Sequence, residues 1–290
     1  MEIALLFLKY KVDIKVIKMS DILKKTKLFE LPEGTAYSIR ITNNTGDYID
    51  LTNYGACILD MYVHTPSGGM SNIMLPGPEA TKASLDAHGS ALLLNAGLDD
   101  LSSCIWDICE ETESSVFLSA ESASSVKVGI KITWVNLNRL IIDYYLTPKD
   151  ARAMSFSSRL SFAAGSYEVS AFTGEVNGSP VSDTEYKDMA FVPLKSEGDV
   201  FFAAGESIKP MLEVKDTASP LRISLYSTME CAKASSFDDR IEINSFSVAP
   251  AEMLEGETLT ERVIYGIDYI TTNLASDEND PESPFLGFFL

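Results

Sequence analysis

Histidine and cysteine are scarce in this chain of 290 residues, which holds two of the first and four of the second. Imidazole is the commonest ligand of transition metals, so two copies argue against such a site and no metal is expected. Cys57, Cys104, Cys109 and Cys231 are too few for a disulfide framework, and the interval from Cys104 to Cys109 is neither a CxxC pair nor a zinc pattern. Reduced, buried thiols in a cytoplasmic protein are the expected state. Positive charge is short as well: 23 Lys and Arg stand against 42 Asp and Glu, a net charge of −19. No basic stripe follows residue 28, which excludes the footprint of a phosphate backbone and with it nucleic acid as a partner. Long apolar runs are missing too. No window approaches the roughly 20 apolar residues of a membrane-spanning helix, and the apolar stretch 3–8 is shorter than the hydrophobic region of an export signal. No membrane partner is expected. P-loop, dinucleotide-binding and zinc-protease patterns are absent, so no cofactor is expected.

What is present reads as a globular, all-β chain. Apolar residues make up 46% and charged residues 22%, enough to build a sizeable core. Residues 1–28 carry seven lysines and read as an N-terminal extension foreign to the rest, with Met19 as an alternative start. From Tyr37 the apolar period becomes two, over 37–42, 48–52 and 56–63, each run divided from the next by turn residues. The clearest hairpin joins 126–135 to 139–147 through Asn136-Leu137-Asn138. In it Val126, Val128, Ile130, Ile132 and Trp134 alternate with Lys127, Gly129, Lys131 and Thr133. Further strand-like runs cover 116–120, 154–162, 221–227, 241–248 and 259–267. Strands at such short intervals predict a large antiparallel β-sandwich over residues 29–272. Residues 273–290, acidic and then apolar, form a tail expected to dock on the same domain.

Several stretches then resemble the galactose mutarotase, or aldose 1-epimerase, family. The opening match runs through Ile41-Thr42-Asn43, Leu51-Thr52-Asn53-Tyr54-Gly55-Ala56-Cys57-Ile58 and Met61-Tyr62-Val63-His64-Thr65-Pro66-Ser67-Gly68-Gly69, and Asn53-Tyr54-Gly55-Ala56 is its most specific part. Leu94-Asn95-Ala96-Gly97 precedes Trp106 at the interval that separates the family's Leu-His-Gly-Gly from its Trp, with Asn95 in place of the His. The interval from Gly77 to Leu94 is too short for the family's Asn-Arg-Ile loop. Ser158-Arg159-Leu160-Ser161-Phe162 stands where the family carries its catalytic His, so Arg159 replaces it. Thr173-Gly174-Glu175-Val176 resembles a Thr-Gly-Glu-Ile turn, and Asp183, after Gly178-Ser179-Pro180, is the counterpart of a sugar-binding Asp. Near the end, Leu254-Glu255-Gly256-Glu257 and Val263-Ile264-Tyr265-Gly266 resemble the closing turn and strand. The family's catalytic Glu lies on a strand about 20 residues before that turn, which makes Glu230 the first candidate and Glu242 the second.

What the resemblance implies is a cleft for a small-molecule sugar, with Glu230 as base and Asn95, Arg159 and Asp183 as sugar contacts. Mutarotation takes a proton from the anomeric hydroxyl and delivers one to the ring oxygen, so it needs a base and an acid on opposite sides of one bond. Arg159 holds its proton and Asn95 has none to give. His88, with Asp86 beside it, is the remaining candidate acid, although a His flanked by Gly and Ser is more often a solvated loop residue. His64 reads as a surface residue, and Trp106 and Trp134 as core. Three functional readings stay open. One is an aldose 1-epimerase or related sugar-phosphate epimerase with a rearranged acid, the second a carbohydrate-binding protein that has lost the chemistry, and the third a structural partner domain whose sandwich no longer binds sugar. The shortage of Lys and Arg disfavours a phosphate clamp. A homodimer is compatible with each.

Overall fold

The computed structural model describes residues 25–74, 81–83, 85, 94–96, 101–163, 165–203, 209–238 and 240–270. Alternating hydrophobicity does here what it does in any half-buried strand, placing one set of side chains in the core and the other toward solvent. Along Val126–Val135, the residues Val126, Val128, Ile130, Ile132 and Trp134 are fully buried, while Lys127 is exposed. This strand pairs antiparallel with Arg139–Pro148, from Val135↔Arg139 to Val126↔Pro148. Their connection is turned by Leu137 and Asn138 in left-handed conformations, φ 61° and 50°.

All strand pairs among the described residues are antiparallel, and they form three sheets. The first is a meander of Lys25–Leu31, Gly34–Thr42, Tyr48–Thr52, Cys57–His64 and Met70–Asn72. The second has nine strands, in the order Val192–Pro193, Tyr167–Ala171, Leu212–Asp216, Leu221–Ser227, Leu259–Tyr269, Arg139–Pro148, Val126–Val135, Ser115–Glu121 and Asp107–Glu111. The third runs Ser179–Pro180, Glu175–Val176, Asp199–Phe202, Cys231–Ser236, Arg240–Phe246, Arg152–Ala163 and Ala251–Met253, and Leu94–Ala96 also pairs with Arg152–Ala163. The second and third sheets face each other as a sandwich. Between them Tyr144 packs on Phe156 with ring centroids 5.1 Å apart, and Phe162 on Tyr265 at 6.1 Å. The Tyr144 and Ser158 hydroxyls meet at 2.5 Å in this interior. Burial pushes the Tyr144 phenol well above its ordinary pKa, so it stays a neutral hydrogen-bonding group. One continuous apolar cluster draws on all three sheets, from Ile39 and Ile41 through Ile130 and Ile142 to Leu160 and Ile243.

Three expectations are amended. Lys25–Leu31 is a strand paired with Gly34–Thr42, so residues 25–28, read as part of an extension, belong to the first hairpin. Its Leu28, Phe29 and Leu31 pack against buried Ala36 and Tyr54, a local apolar pattern that the surrounding lysines mask. Cys109 is exposed, unlike buried Cys57 and Cys231, because it lies in the edge strand Asp107–Glu111. Glu230 does not lie within a strand; it occupies the bend just before Cys231–Ser236. The docked tail and the N-terminal 24 residues lie outside the described residues. Among the described residues no helix is long and apolar enough to cross a membrane.

Candidate functional site

The inner face of the third sheet belongs to the sandwich core, and its other face is polar. Along Arg152–Ala163, Met154, Phe156, Ser158, Leu160 and Phe162 are buried inward, which leaves Ser155, Ser157, Arg159 and Ser161 on the opposite face. Register extends that face across neighbouring strands. Arg159 stands opposite Asn244, which stands opposite Lys233, and Ser161 stands opposite Glu242, which stands opposite Ser235. A third row runs from Ser157 through Phe246, Cys231 and Phe202 to Glu175. On this face lies a cavity of about 350 Å³ lined by Ser155, Phe156, Ser157, Arg159, Lys233, Glu242, Asn244, Phe246 and Ser247. That volume falls within the roughly 300–1,000 Å³ usual for small-molecule sites.

The electrostatics of the cleft centre on Glu242, which is 7% exposed. Its Oε1 accepts a 2.8 Å hydrogen bond from Arg240 Nε, and Arg159 Nη1 lies 3.7 Å from the same oxygen. A buried carboxylate is tolerable only when paired in this way. Two further groups are buried without a partner among the described residues: Arg159 Nε, a donor, and Asn244 Oδ1, an acceptor. Buried polar atoms of native proteins are nearly always satisfied, so this donor and this acceptor stand out in the wall of the cleft. The Phe246 ring adds an apolar surface beside them.

The candidates named from sequence are dispersed. Arg159 lines the cleft together with Glu242, the second choice for the carboxylate. Glu230, the first choice, is exposed, and its Oε2 accepts the backbone N–H of Val248 at 2.8 Å. Asp183 is exposed in the short 3₁₀ turn Val181–Asp183 and is not among the lining residues. Asn95 lies in Leu94–Ala96, beside the Arg159 strand, where its backbone pairs with that of Phe156; Leu94 and Ala96 pair with Ser157 and Ser155. His88 lies outside the described residues. Lys233 and Asn244 had not been singled out. Alternation in 231–236 and 240–246 places them on one face, but identifying that face requires the pairing with Arg159, which is distant in sequence.

Other notable residues are architectural. Trp106 and Trp134 are buried, and their indoles donate to Leu101 O and Asp47 O at 3.2 and 3.1 Å. His64 is half exposed and its Nδ1 meets Asp47 at 2.6 Å. Among the described residues no three His, Cys, Asp or Glu side chains are grouped to hold a metal ion.

Comparison with known proteins gives likeness of shape without likeness of sequence. No protein-family model matches the chain, and neither does any curated protein. Solved structures do match. A GalM/aldose epimerase homologue from C. elegans superposes with a TM-score of 0.69 at 11% identity, covering 81% of this chain and 100% of its own. Galactose 1-epimerase from Lactobacillus acidophilus gives 0.67 at 12%, covering 85% and 98%. A galactose mutarotase-like protein from Lactobacillus casei gives 0.59 at 11%, covering 80% and 100%. With its antiparallel sheets packed as a sandwich and nearly the full length of each relative matched, this chain has the fold of the galactose mutarotase and aldose 1-epimerase homologues.

Proposed function

We propose that the chain is a divergent relative of the aldose 1-epimerases that binds an aldose in the cleft beside Arg159, with Glu242 in the position of the base. The observation that carries this reading is the polar cleft itself, where a buried carboxylate, an unpartnered donor, an unpartnered acceptor and an aromatic ring share one face. A monosaccharide offers matching chemistry: hydroxyls that donate and accept, and a C–H surface for the ring.

Glu242 is the lining residue suited to take the proton from an anomeric hydroxyl. The acid is weaker. Among the described lining residues Lys233 and Arg159 hold the remaining side-chain charges. A guanidinium does not release its proton, and an ammonium, ordinarily near 10.4, is a far poorer donor at neutral pH than an imidazolium near 6.5. Anomer interconversion is therefore expected to run about 10²- to 10⁴-fold below that of an enzyme with a well-matched acid, the span that general acid catalysis supplies. The hold of Arg240 on Glu242 also favours a second reading, a sugar-binding protein without turnover.

The experiment is to follow a pure anomer of glucose or galactose by NMR, with the L. acidophilus galactose 1-epimerase run alongside, and to measure binding by calorimetry. Saturable binding with slow interconversion, abolished in Glu242→Gln and retained in Glu230→Gln, is the expected result. Binding without turnover selects the second reading. Turnover indifferent to Glu242→Gln rejects the site, and the absence of saturable sugar binding rejects the function.

A further inference from the structure

A second cavity, of about 480 Å³, opens between the first sheet and one end of the nine-stranded sheet, and it shares no lining residue with the cleft beside Arg159. Its size again falls within the range of small-molecule sites. Part of its wall is the end of a core-facing row. Alternation turns Leu212, Val214 and Asp216 to the same side of their strand, and Leu212 and Val214 are fully buried in the core. The next position of that row carries a carboxylate instead of an apolar side chain. Asp216 stands opposite Tyr167 in the ladder, Leu221 stands opposite Tyr269, and all four line the cavity. The nearest cations along this ladder, Lys215 and Arg222, alternate to the other face, where they pair with Glu168 at 2.9 Å and Glu213 at 3.5 Å. Asp216 is thus the one charged residue among those lining the cavity, and it has no cation partner among the described residues.

The polar groups around Asp216 have largely placed their protons already. The Tyr167 hydroxyl donates to Ala163 O at 3.2 Å, Asn72 Nδ2 donates to Asp60 Oδ1 at 2.6 Å, and the Thr65 and Ser67 hydroxyls bond to each other at 2.8 Å. Asp216 Oδ1 accepts the Ala218 N–H at 3.1 Å, and its other oxygen accepts no hydrogen bond among the described residues. Both phenols lie within reach of the carboxylate's field. Burial first, and then the Asp216 charge, push Tyr167 up to about 12; burial also raises Tyr269, with Asp216 adding to it against a hydrogen bond from Ser71. The phenols are therefore neutral at ordinary pH, and each oxygen still has a lone pair to offer. What the wall presents is a negative charge with acceptors beside it, next to the apolar surface of Ile73, Pro220 and Leu221. We propose that this cavity binds a small organic cation, a protonated amine on a short apolar stem, with its ammonium on Asp216 and its stem along Ile73, Pro220 and Leu221. An ammonium has three donors and no acceptor, the complement of such a wall, and a carboxylate drawn toward a core is stabilised by a partner of opposite charge. The site is separate from the sugar cleft, and neither reading depends on the other.

The test is to titrate the full chain near neutral pH with butylamine and diaminobutane, and with butanol and butanediol as their uncharged counterparts, following binding by calorimetry and the backbone amide signals by NMR. The expected result is one saturable site at which each amine binds at least about tenfold more tightly than its alcohol, the scale of a charge-assisted contact. The amide shifts should gather on residues 65–72 and 216–221. Asp216→Asn should abolish the preference for the amine. Glu255→Gln, which removes the same charge from an exposed turn, should keep it, and this separates the site from the general attraction of cations to a chain of net charge −19. Alcohols binding as tightly as amines overturn the proposal, as do a preference that survives Asp216→Asn, shifts gathered elsewhere, or binding that does not saturate. The amine-to-alcohol ratio and the shift map need only the wild type, so a variant that fails to fold does not shelter the proposal.

Discussion

Asp47 shows how much one side chain can organise away from the cleft. It is 2% exposed, and it collects Thr45 Oγ1 at 2.6 Å, the His64 amide at 2.7 Å, His64 Nδ1 at 2.6 Å and Asn43 Nδ2 at 3.3 Å, while its backbone carbonyl takes the Trp134 indole. Burial alone raises the pKa of a carboxyl, but these donors outweigh it and hold Asp47 below its ordinary value of 3.8. The sign follows. A depressed folded pKa stabilises the protein above the unfolded value, and the contribution is lost as pH falls through the folded one. Asp47→Asn should therefore cost about 1–3 kcal/mol near neutral pH, with the difference from wild type narrowing below about pH 4. Urea denaturation across pH, repeated in a His64→Ala background to remove the imidazole contact, checks this. A difference that persists undiminished to about pH 2 would contradict it.

At the scale of elements, the most specific family-like motif proves to be a clasp. Asn53 Oδ1 accepts the Tyr37 N–H at 2.7 Å, and its Nδ2 donates to Thr35 O and Trp106 O at 3.2 and 3.1 Å. Tyr54 is buried edge-on against Phe29, with centroids 5.3 Å apart. Gly55 sits at φ +64°, where an added Cβ would lie 2.1 Å from the Ser102 carbonyl oxygen. Asn53-Tyr54-Gly55-Ala56 thus binds the first sheet to the segment leading into Trp106. Gly55→Ala meets both a left-handed backbone and a rigid carbonyl, and is expected to destabilise by more than about 2 kcal/mol. Thermal or urea unfolding measures it. A loss within about 0.5 kcal/mol, ordinary for an innocuous substitution, would mean the clasp is not as tight as the geometry states.

For the whole molecule, salt should act through the net charge. A net charge of −19 works against compactness by self-repulsion, which added salt screens. Thermal unfolding near neutral pH is therefore expected to shift upward as sodium chloride rises from low to moderate concentration. Scanning calorimetry reads the shift. An unfolding midpoint that falls with salt would place the dominant charge effect in favourable pairs such as Arg40–Asp50 and Arg262–Asp143 rather than in the net charge.

The β class, the sandwich and most strand positions were legible in the sequence because a period of two is a local property: each residue of 126–135 or 221–227 reports its own side of a sheet. The role of Trp134 as core was legible for the same reason. The cleft was legible only through Arg159, whose position in the resemblance was itself unusual, and through Glu242 as the second choice of carboxylate. Glu242, Lys233 and Asn244 became neighbours of Arg159 through pairing across as many as 85 positions of chain, from Arg159 to Asn244, which in turn pairs with Lys233. Counting back from the closing turn could not separate Glu230 from Glu242, because a distance along the chain does not say on which side of a sheet a carboxylate emerges. Register decides that, a shift of one residue moves every side chain to the opposite face, and register is set by the packing of two sheets against a common core.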